Sequence, residues 1–134
     1  MNASIVQSYL VVMLGGALGS AARLGLASLL AMRYGDAFPI GTLVVNVLGC
    51  FVIGLYGGLT GPQGALAASP LSRQFVMIGI LGGFTTFSSF GLQTYDLVTN
   101  GQYFRGSLYV VLSVFVCLAA VWLGMGIASA INQK

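Results

Sequence analysis

Gly82-Gly83-Phe84-Thr85-Thr86-Phe87-Ser88-Ser89-Phe90-Gly91 sits at the centre of a run that begins after Ser69-Pro70 and ends at Asn100-Gly101. The run is long enough to cross a membrane, which takes about 20 mostly apolar residues. Three glycines, two β-branched threonines and two serines are poor residues for a helix interior. Gathered at mid-span, they predict an interrupted helix. Broken backbone at membrane depth is tolerated only where it is buried in protein or lines a cavity, and its freed carbonyls are natural cation ligands. Phe84, Phe87 and Phe90 recur every third residue. A phenyl ring is positive at its edge, so such rings suit edge-on contact with an anion. A phenylalanine stripe alone is ordinary packing; its coincidence with a break and a hydroxyl cluster points beyond packing.

The rest of the chain agrees with a membrane setting. Of 134 residues, 57% are hydrophobic, 5% are charged and 20 are glycine. Soluble domains carry roughly 25% charged residues. Arg23, Arg33, Arg73, Arg105, Lys134, Asp36 and Asp96 are the whole set of charged side chains. They are too few to solvate a soluble fold of this size. There is no His and no Glu, and two Cys with two Asp cannot build a metal-ligand cluster, which excludes most enzyme chemistry. The net charge of +3 is scattered, so no nucleic-acid partner is expected.

Four spans are expected, at about 8–32, 40–59, 71–99 and 103–131, in a single four-helix membrane domain over residues 1–134. Breaks are written in Arg33-Tyr34-Gly35-Asp36-Ala37-Phe38-Pro39, in Thr60-Gly61-Pro62-Gln63-Gly64 and at Asn100-Gly101. The first segment reads as a true span, because no charged region precedes it and no small-residue cleavage site follows. An even number of crossings puts both termini on one side. Arg73 and Lys134 then share that side, and Arg33 and Arg105 the other. Lys and Arg normally mark the cytoplasmic side. Two against two leaves a single orientation or insertion both ways, and the second would permit an antiparallel homodimer. Glycine pairs four apart, Gly15 with Gly19, Gly54 with Gly58 and Gly79 with Gly83, are candidate seams for close helix packing. Four helices enclose little interior volume, so a permeation path calls for a second subunit.

Several polar groups lie within the spans, where they are costly and tend to be functional. Arg23 either snorkels to the interface or lines a vestibule that attracts anions. Asn46, with Thr42 one turn earlier, either bonds across helices or offers N–H groups to an anion. Tyr109, Ser113 and Cys117 recur every fourth residue on one face of the fourth span. They form either a polar track or a seam whose hydroxyls bond back to their own helix. Cys50 and Cys117, placed in different spans, read as small polarizable packing residues.

The motifs Gly15-Gly16-x-x-Gly19 followed by Arg23, Gly41-Thr42-Leu43-Val44-Val45-Asn46 and Gly82-Gly83-Phe84-Thr85-Thr86-Phe87-Ser88-Ser89-Phe90 resemble the Fluc fluoride-channel family, along essentially the whole chain. The resemblance implies an all-α integral membrane protein with four transmembrane helices, the third broken. It further implies an antiparallel dual-topology homodimer, with two pores and a central structural Na⁺, exporting fluoride passively across a bacterial inner membrane. It implies Phe87 and Phe90 as pore rings, Asn46 as amide donor to fluoride and Arg23 as a vestibule cation. Gly82 and Thr85 would offer carbonyls to Na⁺, and Ser88, Ser89, Tyr109 and Ser113 would continue the polar track, with Thr42 beside Asn46. Two positions depart from the family pattern: Gln93 stands where a Glu is common, and Cys117 where a hydroxyl is usual. The alternative class is a small dual-topology multidrug or guanidinium antiporter. That chemistry needs a membrane carboxylate, whereas Glu is absent and Asp96 sits near the end of a span. A non-conducting assembly subunit leaves the broken span unexplained.

Overall fold

The computed structural model describes residues 2–133, which are helical with short connections and contain no strand. Lys134, counted above among the loop cations, lies outside the described residues. Helix α1 runs Ala3–Tyr34 and α2 runs Ile40–Leu59. The third crossing, Pro70–Thr99, is composite. It holds α3 (Pro70–Arg73), a π-helical stretch (Gln74–Ile80), α4 (Leu81–Phe84) and α5 (Phe87–Thr99). Helix α6 runs Tyr103–Asn132. Each of the four crossings is long and apolar enough to span a bilayer, so the chain is a multi-pass membrane protein. The shortest, α2, has 20 residues. At 1.5 Å per residue that is about 30 Å, the thickness of the hydrocarbon core.

Local chemistry sets the ends. Gly35 and Gly101 take φ of +75°, which terminates α1 and α5 in the left-handed turn that glycine adopts without strain. The Ser69 hydroxyl accepts the Ser72 N–H, and Pro70 occupies the first turn of α3, where its missing N–H costs nothing. Mid-span, the backbone opens at Thr85 (φ −80°, ψ 158°) and Thr86 (φ −152°, ψ 116°). The break therefore falls one step later than the glycines suggest. Gly82 and Gly83 remain helical within α4, and the β-branched threonines, which prefer extended backbone, carry the interruption.

The glycine pairs are seams within the chain. A Cβ on Gly15 would meet the Phe75 carbonyl at 2.6 Å and the Gly79 Cα at 2.9 Å, so α1 lies directly on the π-helical stretch. Gly19 faces the Ile80 carbonyl, and Gly83 faces Gly16 across the same seam. Between α2 and α6, Gly54 faces the Val121 carbonyl and Gly124 faces Phe51. In lipid, close backbone approach of this kind replaces the hydrophobic drive that soluble helices have. At the end carrying the loop after α2, Arg73 donates to both the Thr60 carbonyl and its hydroxyl at 2.5 Å. Beside it, Asn132 accepts from the Ala65 N–H at 2.8 Å and donates to the Gly58 carbonyl at 3.1 Å. At the opposite end Arg105 donates to Gln102 Oε1 at 2.9 Å.

Candidate functional site

The break is built from both sides. From α2, Asn46 donates its amide N–H to the Thr86 carbonyl at 3.0 Å and accepts the Thr86 N–H at 2.8 Å. From α5, the Thr86 hydroxyl caps the new helix by accepting the Ser89 N–H at 3.2 Å. It also donates to the Ser89 hydroxyl at 3.0 Å and lies 3.3 Å from the Ser88 hydroxyl. The Thr85 N–H and hydroxyl both turn back to the Leu81 carbonyl, at 3.0 and 2.9 Å. Once these partners are assigned, the Gly82 and Thr85 carbonyls accept no hydrogen bond among the described residues. Gly82 is exposed on the outside of the single chain.

A cavity of about 400 Å³ opens beside the break, between α2, α5 and α6. Asn46, Phe87, Phe90 and Ser113 line it, together with Gly82 and Thr85. The Ser113 hydroxyl oxygen is buried and has no hydrogen-bond partner among the described residues. It therefore does not bond back to its own helix, and a buried hydroxyl left without a partner calls for one. Asn46 keeps a second amide N–H, because only one is spent on Thr86. Phe87 is 82% exposed, a large ring that one chain leaves uncovered. Its centroid is 5.3 Å from that of Phe90, and Phe90 is 5.3 Å from Tyr109.

A second cavity, of about 490 Å³, lies at the end where α1 and α5 finish. Thr42, Gln93 and Asp96 are on its wall. Tyr109 stands between the two cavities and lines neither. It is fully buried, its hydroxyl donates to Gln93 Oε1 at 2.9 Å, and its ring meets Phe38 edge-on at 5.5 Å. The tyrosine thus forms an aromatic partition with a polar edge turned toward Gln93.

The sequence candidates divide accordingly. Asn46, Phe87, Phe90, Ser113, Gly82 and Thr85 come together at one cavity, and Thr42 belongs to the other. Ser88 and Ser89 join the cap of α5. Arg23, partly exposed on α1, is on the wall of neither cavity and has no hydrogen-bond partner among the described residues. Thr86 was missed as a site residue, although its place three residues before Ser89 is the spacing of a helix cap. Gln93 stood out only as a departure from a pattern; its bond to Tyr109 is a tertiary fact.

Comparison with known proteins follows the same lines. The family described as CrcB-like protein, Camphor Resistance (CrcB), matches residues 10–125. A protein named fluoride-specific ion channel FluC from Opitutus terrae is 52% identical over 125 residues, 93% of this chain and 95% of that protein. Its namesake from Methylocella silvestris is 50% identical over 125 residues, with the same coverage of both chains. Another of that name, from Rhodospirillum rubrum, is 50% identical over 126 residues, 94% of this chain and 98% of the relative. A family match across the four spans and relatives this similar over nearly their whole length show that the chain belongs to the CrcB-like, or Fluc, family of membrane proteins.

Proposed function

We propose that this chain is a passive, fluoride-selective channel, a conductor rather than an enzyme, exporting fluoride as protection against its toxicity. The observation that carries the reading is the wall beside the broken third crossing. There a spare Asn46 N–H, the unpartnered Ser113 hydroxyl and the Phe87 and Phe90 rings share one cavity. Fluoride is small and strongly hydrated, so its water must be replaced by donors in a passage too tight for larger anions. Amide, hydroxyl and ring edges do this without a fixed positive charge that would trap the ion. The relatives' shared name, fluoride-specific ion channel, supports the same ion. No observation favours the antiporter reading: Asp96, the one carboxylate of the third crossing, lies on the wall of the second cavity and not at the break.

The working unit we propose is an antiparallel dual-topology homodimer with two pores, in a bacterial inner membrane. Phe87, exposed within a single chain, and the division of loop cations between the two ends support it. A sodium ion fits the same arrangement. The Gly82 and Thr85 carbonyls are hard oxygen ligands left without hydrogen bonds, and Gly82 is on an open face where a second copy would bring the same pair. Bound there, the ion would supply positive potential at the interface and satisfy carbonyls that lipid cannot. Arg23 adds a cation outside the two cavities, in keeping with a vestibule formed only in the dimer.

The test is fluoride efflux from liposomes loaded with KF, with valinomycin carrying the counter-charge. Rapid release into the medium is expected, and vesicles that hold their fluoride would defeat the channel reading.

A further inference from the structure

Cys50 on α2 and Cys117 on α6 line one cavity, shared with Asn46, Phe90 and Ser113. Both are free thiols, and each lies one helical turn before the Gly54–Val121 contact, on the same level of the parallel α2–α6 seam. We propose that Cys50 and Cys117 form a two-coordinate soft-metal site for mercuric ion in the wall of this cavity. Thiolates select soft ions. No group of three or more His, Cys, Asp or Glu is assembled among the described residues, which excludes ions that need a tetrahedral set, such as zinc. Ions content with two ligands in line remain: Cu(I), Ag(I) and Hg(II). The apolar interior then discriminates by charge. Two thiolates on a monovalent ion leave one net negative charge, which is expensive to bury, whereas two on Hg(II) form a neutral complex.

The binding step is a ligand exchange without redox change. Mercuric chloride exchanges its two chlorides for the two sulfurs. Each thiol loses its proton to water as its S–Hg bond forms, so two protons and two chlorides are released for each ion bound. The bound ion then occupies space beside Asn46, Phe90 and Ser113. Binding stands independently of the fluoride reading; only the consequence for flux rests on it.

The experiment uses the full chain in liposomes, treated with HgCl₂ and washed with a competing monothiol. Wild type is expected to retain one mercury per chain. Cys50→Ser and Cys117→Ser should each retain it more weakly by roughly a hundredfold, as for loss of one arm of a bidentate site. Cys50→Ala and Cys117→Ala repeat the comparison without a hydroxyl, in case serine perturbs the fold. Equal retention by wild type and all single variants would overturn the site, as would loss in only one of the two positions. Fluoride efflux measured on the same vesicles should be blocked in wild type and restored by a dithiol. Mercury retained without block would leave the metal site standing and count against this cavity as the fluoride path.

Discussion

Asn46 holds Thr86 by both of its backbone polar groups, donating to the carbonyl at 3.0 Å and accepting from the N–H at 2.8 Å. A side-chain amide here does what a neighbouring strand does in a sheet. It makes a two-residue extended segment affordable in a medium that offers no water. Asn46 accordingly has two tasks, bracing the break and presenting its remaining N–H to the cavity.

Replacing Asn46 separates those tasks. Asn46→Asp keeps the acceptor for the Thr86 N–H but loses the donor and adds a negative charge facing the cavity. Fluoride efflux should fall steeply while the protein still folds. Asn46→Leu removes both bonds and leaves two buried backbone groups unpaired, each costing about 1–3 kcal/mol. Thermal unfolding in detergent should show the larger loss for leucine; equal stability of all three proteins would refute the brace.

Phe90 packs between Phe87 and Tyr109, at 5.3 Å from each. Phe90→Ile keeps the bulk of a hydrophobe but removes the ring edge. One edge contact contributes about 1 kcal/mol, which as a barrier term corresponds to roughly a fivefold to tenfold slower efflux. Electrode-monitored efflux at matched protein density measures it, and wild-type rates would remove Phe90 from the path.

The Tyr109 hydroxyl donates to Gln93 Oε1 at 2.9 Å. Tyr109→Phe keeps the partition and deletes that bond, at a net cost near 1 kcal/mol. A lower unfolding temperature is expected together with altered efflux. A stability change without any flux change would make Tyr109 a packing residue only.

The glycine seams predict opposite signs at two positions of α1. Gly19→Ala places a Cβ against the Ile80 carbonyl and 2.8 Å from the Phe84 N, both backbone, and should destabilise by about 1–3 kcal/mol. Gly25→Ala meets nothing within 4 Å and should gain up to about 1 kcal/mol from helix propensity. Melting curves decide, and a destabilised Gly25→Ala would mark that face as covered by a second copy.

Sodium makes a prediction of its own. A ligand bound only to the folded form at a hundred times its dissociation constant stabilises by about 2.7 kcal/mol. Purification with N-methylglucamine in place of Na⁺ should therefore lower the unfolding temperature and slow efflux. Indifference of both to the cation would remove Gly82 and Thr85 as its ligands.

Much of this was legible because lipid enforces strict rules. Scarcity of charge, four apolar runs and a cluster of weak helix formers were enough for an all-helical membrane chain with a broken third crossing. What escaped was tertiary. Gly82 and Gly83 read as helix breakers, yet Gly83 is a contact point for Gly16 and the threonines open the chain. The π-helical stretch Gln74–Ile80 has no sequence mark. Cys50 and Cys117 looked like unrelated packing residues because nothing in either local pattern shows that α2 and α6 bring them to one cavity.

The pairing of Asn46 with Thr86 joins residues 40 positions apart, and this constrains the order of assembly. Until α2 is alongside, the Thr86 N–H has only the Gly82 carbonyl, one turn back, to bond. In lipid an unbonded N–H costs several kcal/mol. An extended Thr85-Thr86 segment is therefore expected only once α2 is alongside, with a continuous third crossing before that. On that order of events Asn46→Leu, which offers Thr86 neither bond, should be delivered to the membrane normally and be arrested at the docking step that follows.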